Sequence, residues 1–152
     1  MRFTFILFTV ILLCPKPAIN AEKEPQKTKV NNRKALKLLT GKHLFSLQWI
    51  SWVNFGEAVV TNDAGLLKLN AIQRSTQDNN YILMQGVITN VDEREFIFDG
   101  IIITKINHLN YGLPCERQGV MTFLIPEGKK YWRLQEMQNP CDEVVDYIDI
   151  FE

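Results

Sequence analysis

The chain is 152 residues long, and its 17 Lys and Arg are balanced by 17 Asp and Glu. Neutrality conceals a split: Glu22 to Lys42 carries seven basic residues against two Glu, while everything from His43 onward carries eight against fifteen acidic ones. A body that acidic excludes nucleic acid as a partner, because that would need positive charge on the fold itself with aromatics interleaved.

The first residues, "MRFTFILFTVILLCPKPAINA", have the three parts of a secretory signal peptide over 1–21. Arg2 gives the positive start, Phe3 to Leu13 the apolar run, and two prolines the polar break before a cleavage site placed after Ala21. The run is too short to cross a bilayer core of ~30 Å. The sequence therefore predicts a chain that does not span the membrane and is secreted or periplasmic. Cys14 raises the alternative of a lipid anchor. Leu13 stands where a lipoprotein peptidase wants a small residue, which argues against it.

Residues 22–37 are poor in large apolar side chains until Leu36 and read as a flexible basic linker. Residues 38–152 suffice for one domain around one core. The helical candidate is "NRKALKLL", one or two turns ahead of the first strand. After it the pattern is strand upon strand, with β-branched and aromatic residues between short polar breaks. "HLFSLQWISWV" puts Phe45, Leu47 and Trp49 on one face. "GEAVVT", the turn "NDAG" and "LLKLNAIQ" follow. "YILMQGVITNV" and "FIFDGIIITKI" then form a long antiparallel hairpin across the turn "DERE". Gly86 and Gly100 lie inside those strands, where glycine marks a bend or a close approach. "GVMTFLI", "KYWRLQEM" and "VVDYIDIF" complete about eight strands. The expected fold is all-β, a meander closed into a barrel, with a β-sandwich as the alternative.

This layout of a secretory leader, a short helical lead-in, about eight meandering strands and one late disulfide resembles the calycin-type barrels, the lipocalins and their relatives. The resemblance covers most of Leu38 to Phe151 and implies a barrel that can hold one small ligand. It is a likeness of arrangement only. The lipocalin Gly-x-Trp opening is missing, since "TGKHLF" puts His43 where the tryptophan would stand, and Trp49 and Trp52 come too late. No functional residue is carried over.

The chemical candidates are few. With Cys14 gone, Cys115 and Cys141 remain, and two cysteines in an exported chain predict one disulfide. Each follows a proline, which stiffens its approach. Such a bridge stabilises a fold by roughly 3 to 4 kcal/mol in the chain-entropy picture. Cys115 as a nucleophile, with Arg117 two residues on to lower its pKa, is the competing reading. His43 and His108 fall in no zinc-binding spacing, and no nucleophile elbow or phosphate loop is present, so no catalytic residue, cofactor or metal is expected. The acidic terminus "CDEVVDYIDIFE" lacks the turning loop and central glycine of a calcium site and reads as a solvated strand.

Aromatic residues supply the binding candidates: Trp49, Tyr81, Phe98 and Trp132, together with Arg133. In a strand, Tyr131 and Trp132 must face opposite ways. Arg133 could pair with Glu116 or Asp142 across the disulfide. Two functions follow. The first is a non-enzymatic protein holding a small apolar ligand in the barrel mouth. The second is a protein-binding module, such as an inhibitor of an extracellular enzyme, acting through its loops and basic arm. Oligomeric state is not legible.

Overall fold

A computed structural model describes residues 26–152; the predicted leader 1–21, its cleavage site and Cys14 lie outside the described residues. The elements are β1 (Lys29–Val30), α1 (Arg33–Leu39), β2 (Gly41–Leu47), β3 (Gly56–Asp63), β4 (Leu66–Arg74), β5 (Tyr81–Val91), β6 (Glu95–Lys105), β7 (Cys115–Leu124), β8 (Tyr131–Leu134) and β9 (Ile148–Phe151). From β2 onward every strand runs antiparallel to the next, and β9 returns to β2 through Phe45–Ile150 and Leu47–Ile148. The wall closes. It is an eight-strand barrel, and the sandwich alternative is set aside.

One end of the barrel carries the turns after β3 and β5 and the chain's C-terminus. The other carries the long connections between β2 and β3, β6 and β7, and β8 and β9. Alternation explains the wall. In β4 the residues Leu67, Leu69, Ala71 and Gln73 are buried, while Lys68, Asn70, Ile72 and Arg74 are exposed. The same period of two brings Phe96, Phe98 and Ile102 of β6 inward.

The interior is packed with rings. Phe96 stacks on Phe123 at 5.0 Å between centroids, Phe98 meets Phe123 edge-on at 6.3 Å, and Trp132 reaches Phe96 at 6.0 Å. Such arrangements add to the area the rings already bury. Phe98 has room because Gly86 and Gly100 stand opposite one another across β5 and β6. A Cβ on Gly86 would lie 2.7 Å from Phe98 Cε2, and one on Gly100 2.5 Å from Cζ. The expected close approach is thus the approach of a ring to bare backbone.

Both ends are plugged. At the C-terminal end, Asn32 caps α1 by accepting the Ala35 N–H at 2.9 Å. The helix buries Ala35 and Leu39 in the core cluster. His43 secures it, its ring lying 2.9 Å from both the Leu39 and the Phe151 carbonyl oxygens. At the opposite end Gln73 points inward and is buried. Its Oε1 accepts from Leu47 N–H at 2.7 Å, and its Nε2 donates to the Ser51 and Asn54 carbonyls at 3.0 and 2.9 Å. That side chain ties down the chain between β2 and β3.

Several expected boundaries change. The first strand ends at Leu47, where Ile50 and Ser51 N–H turn back to its carbonyl, so Trp49 leaves the strand face of Phe45 and Leu47. The packed body begins ahead of residue 38. β1 adds in parallel to β5 at Asn90 and Val91. Buried Thr28 accepts the Leu67 N–H at 2.8 Å and donates to the Ile88 carbonyl at 2.5 Å, bridging β4 and β5. β7 starts at Cys115 rather than Gly119, and β8 and β9 are only four residues each.

The glycine row gives a direct test. Gly100→Ala would set a methyl 2.4 Å from the Gln85 carbonyl oxygen as well as against Phe98. Overpacking of this kind should lower unfolding free energy by about 2 to 3 kcal/mol, seen as an earlier urea midpoint with native circular dichroism below it.

Candidate functional site

Two of the three aspartates of the C-terminal stretch are not solvated, contrary to the sequence expectation. Asp146 and Asp149 are 2% and 1% exposed, and each is neutralised by an arginine. Arg133 Nε and Nη2 both donate to Asp149 at 2.7 Å across the β8–β9 pair. Asp149, not Glu116 or Asp142, is therefore its partner. The hydrogen bonds it donates to Asp149 hold the Arg133 guanidinium above its ordinary range. That guanidinium lies over the rings of both Tyr131 and Tyr147, 5.0 and 4.5 Å from their centroids. The geometry suits arginine alone, since a planar fork can bind bidentately and stack at once.

Asp146 lies at the loop end. It accepts from Trp49 Nε1 at 3.0 Å, Arg117 Nη2 at 3.1 Å and Asn139 Nδ2 at 3.0 Å. Burial pulls the Arg117 guanidinium below its ordinary value, with Asp146 opposing it. A carboxylate accepting three hydrogen bonds from three different segments is a good fastening. The disulfide is beside it: Cys115 and Cys141 are bonded, 26 positions apart. While bridged, Cys115 carries no thiolate.

These contacts sew the long connections together. Trp49 meets the exposed His108 edge-on at 5.7 Å. Gln48 Nε2 donates to the Val145 carbonyl at 2.7 Å, and its Oε1 accepts from Tyr147 N–H at 2.6 Å. Asp142 accepts the Asn110 N–H at 3.0 Å, which is the largest reason its carboxyl sits below its usual value. The loop so held is unusual. Asn110, Tyr111 and Gly112 follow one another at φ of 46°, 56° and 73°. Left-handed backbone costs roughly 1–2 kcal/mol for each residue with a Cβ. The tip it makes displays Tyr111 at 98% exposure, with exposed Leu113 next to it. Trp52 and Val53, also exposed, stand on the β2–β3 connection at the same end.

Of the five binding candidates, Phe98 and Trp132 are inside the barrel and spent on its core. Tyr81 lies on the outer wall beneath Arg74, 5.5 Å from its ring. Trp49 and Arg133 come near one another through Tyr147, which stacks on Arg133 and, with Trp49, Gln48 and Val144, lines an open cleft of about 470 Å³. Sequence reasoning missed Asp146, Asn139, Tyr147 and Tyr111. The tripeptide Asn-Tyr-Gly did offer a signal, because Asn and Gly are the residues that tolerate positive φ. Among the described residues no group of three or more His, Cys, Asp or Glu could hold a metal ion. Nor is any helix there long and apolar enough to cross a membrane.

Two outcomes follow. Asp146→Ala leaves Arg117 buried without its carboxylate and should cost about 3–5 kcal/mol in urea unfolding, with altered Trp49 fluorescence. For Asp142 the folded pKa lies below the ordinary 3.8, so its contribution is complete above that value and is lost as pH falls through the folded pKa. The Asn110 amide resonance should move in that acid window in the native chain and stay still in Asp142→Asn.

The chain belongs to the PM1083 family, whose model matches residues 27–152. It is 42% identical over 138 residues to a protein of Pasteurella multocida (strain Pm70) described as uncharacterized protein PM1083, covering 88% of this chain and 86% of that one. No solved structure matches. The eight-strand closure is consistent with a calycin-like layout; the family is PM1083.

Proposed function

We propose that this member of the PM1083 family is a non-enzymatic protein-binding module of an oxidising compartment, secreted or periplasmic, which meets its partner through the loop end of the barrel. The observation that carries the reading is the Asn110–Gly112 knuckle, a strained backbone that lifts a tyrosine almost wholly into solvent. Strain in a loop fastened by Asp142 and the disulfide is worth retaining when it preorganises a contact. Tyrosine is also among the side chains that most often anchor an interface.

The packing favours this over a ligand in the barrel mouth. Phe98 and Trp132, expected to face such a ligand, are consumed by the core, and α1 and Gln73 occupy the two ends. The clefts lined by Glu57, Asn70 and Gln85, by Gln118 and Gln135, and by Gln48 and Tyr147 open on the outer surface. The disulfide supports the oxidising compartment.

Tyr111→Gly separates the readings. Glycine relieves the left-handed strain, so the variant should be more stable by about 1 kcal/mol. It should also lose a defined heteromeric cross-link that the native chain forms in its host. A stoichiometric small-molecule mass retained in native mass spectrometry of the purified chain, or a cross-link unchanged by the substitution, overturns the proposal.

A further inference from the structure

The barrel wall has an opening between β7 and β8. β7 pairs with β6 along its whole length from Cys115 to Leu124 without a register shift. On its other side it pairs with β8 only at Phe123–Leu134 and Leu124–Arg133. One residue further back, Thr122 is satisfied by the departing chain: its carbonyl accepts from Gln135 N–H at 2.8 Å, and its N–H donates to Glu136 Oε2 at 2.9 Å. Backbone polar groups alternate from side to side along a strand, so those of Val120 and Gln118 turn the same way as those of Thr122. Among the described residues no backbone or side-chain group meets them. The gap is a cleft of about 450 Å³, lined along one bank by Gln118 and Val120 and along the other by Gln135 to Gln138.

An open edge of this kind is a template for another strand, and folded chains ordinarily blunt it with lysine, proline or a covering loop. Here the edge bears none of these, and Val120 is 67% exposed. Pro140 stands at one end of the cleft. The surroundings are acidic. Glu136 lies on the opposite bank, Asp99 pairs with Val120 from β6, and Glu116 precedes on the same outward row. The cleft's one lining cation, Arg117, is committed to Asp146.

Resting on the protein-binding reading, we propose that the β7 edge at Gln118–Val120 receives an extended, basic peptide segment of the partner by strand addition. The N–H and C=O groups of Gln118 and Val120 pair with the incoming backbone. Asp99, Glu116 and Glu136 select lysine or arginine at its outward positions, and the aliphatic stems of those side chains pack against Val120 on the same face.

Amide hydrogen exchange on the full folded chain tests this, with an alternating Lys-Val octapeptide as probe and its Glu-Val counterpart as control. In the chain alone Gln118 and Val120 amides should exchange fast while Gly119 and Met121, turned toward β6, are protected. The Lys-Val probe should slow Gln118 and Val120 by about tenfold or more. The Glu-Val probe should leave them unchanged. Gln118→Pro deletes one donor and should abolish the effect. Val120→Lys, which keeps every backbone group and the fold, should weaken it through like charge. Protection of these amides before any probe is added, no slowing with the Lys-Val probe, or equal slowing by both probes overturns the strand-addition proposal. If the Tyr111-dependent cross-link persists in that event, the protein-binding reading stands and only this edge is dismissed.

Discussion

The structure depends on one close approach: the ring of Phe98 lying against bare backbone at Gly86 and Gly100. Eight strands enclose a space only just wide enough for side chains, and this barrel fills it with five aromatic rings, the four phenylalanines at 45, 96, 98 and 123 and the indole of Trp132. A Cβ on Gly86 or Gly100 would press on the Phe98 ring, which meets Phe123, and through Phe123 on Phe96 and Trp132. Tight curvature and a full interior are thus the same fact. On the proposed reading, function is displaced to the outside for the same reason. With the core occupied by rings and the ends by α1 and Gln73, the wall and the loops are what is left to meet another molecule.

The second organising element is a pair of buried carboxylates near the end of the chain. Asp146 and Asp149 are each matched by one arginine, yet they serve different ends. Arg133–Asp149 joins two short strands whose ladder alone, four residues on either side, would be weak. Arg117–Asp146 has no ladder to support; with Trp49 and Asn139 it locks the connections into one body. Removing water from such a pair is costly, and the cost is offset by the three hydrogen bonds that Asp146 accepts as well as by charge attraction, while Arg117 Nη1 stays buried without a partner among the described residues. The strained tip at Tyr111 can persist because this frame, and the bridge at Cys115, leave its flanks nowhere to relax.

The wall from β3 to β6 was legible because strict alternation and short turns leave one solution. The 81–105 hairpin, its two inward glycines and the disulfide were all readable in the residues. The segment from Gln135 to Tyr147 was not. Its two ends read as strand, but beyond the isolated bridge Gln138–Val145 it is held by Asn139, Gln138 and Asp146 side chains instead of a ladder, and the partners of Asp146 include Trp49, 97 positions away along the chain. Burial of the two aspartates was hidden for the same reason: an acidic strand end reads as solvated unless the arginine opposite is known. The stop at Leu47 was masked by the apolar tryptophans beyond it. Of the candidate site, Trp49 and Arg133 were named from composition, while Tyr111 escaped because its importance resides in a dihedral angle.

Thr28 enters the fold beside Gly65, and Glu152 leaves it beside Lys130, so the two extremities of the described chain share one pole of the barrel. The knuckle, the disulfide and the stitched connections occupy the opposite pole. A support that held the fold directly at Thr28 or Glu152, a coated bead for example, would therefore leave the tyrosine tip facing away from it, with the barrel's height as a built-in standoff.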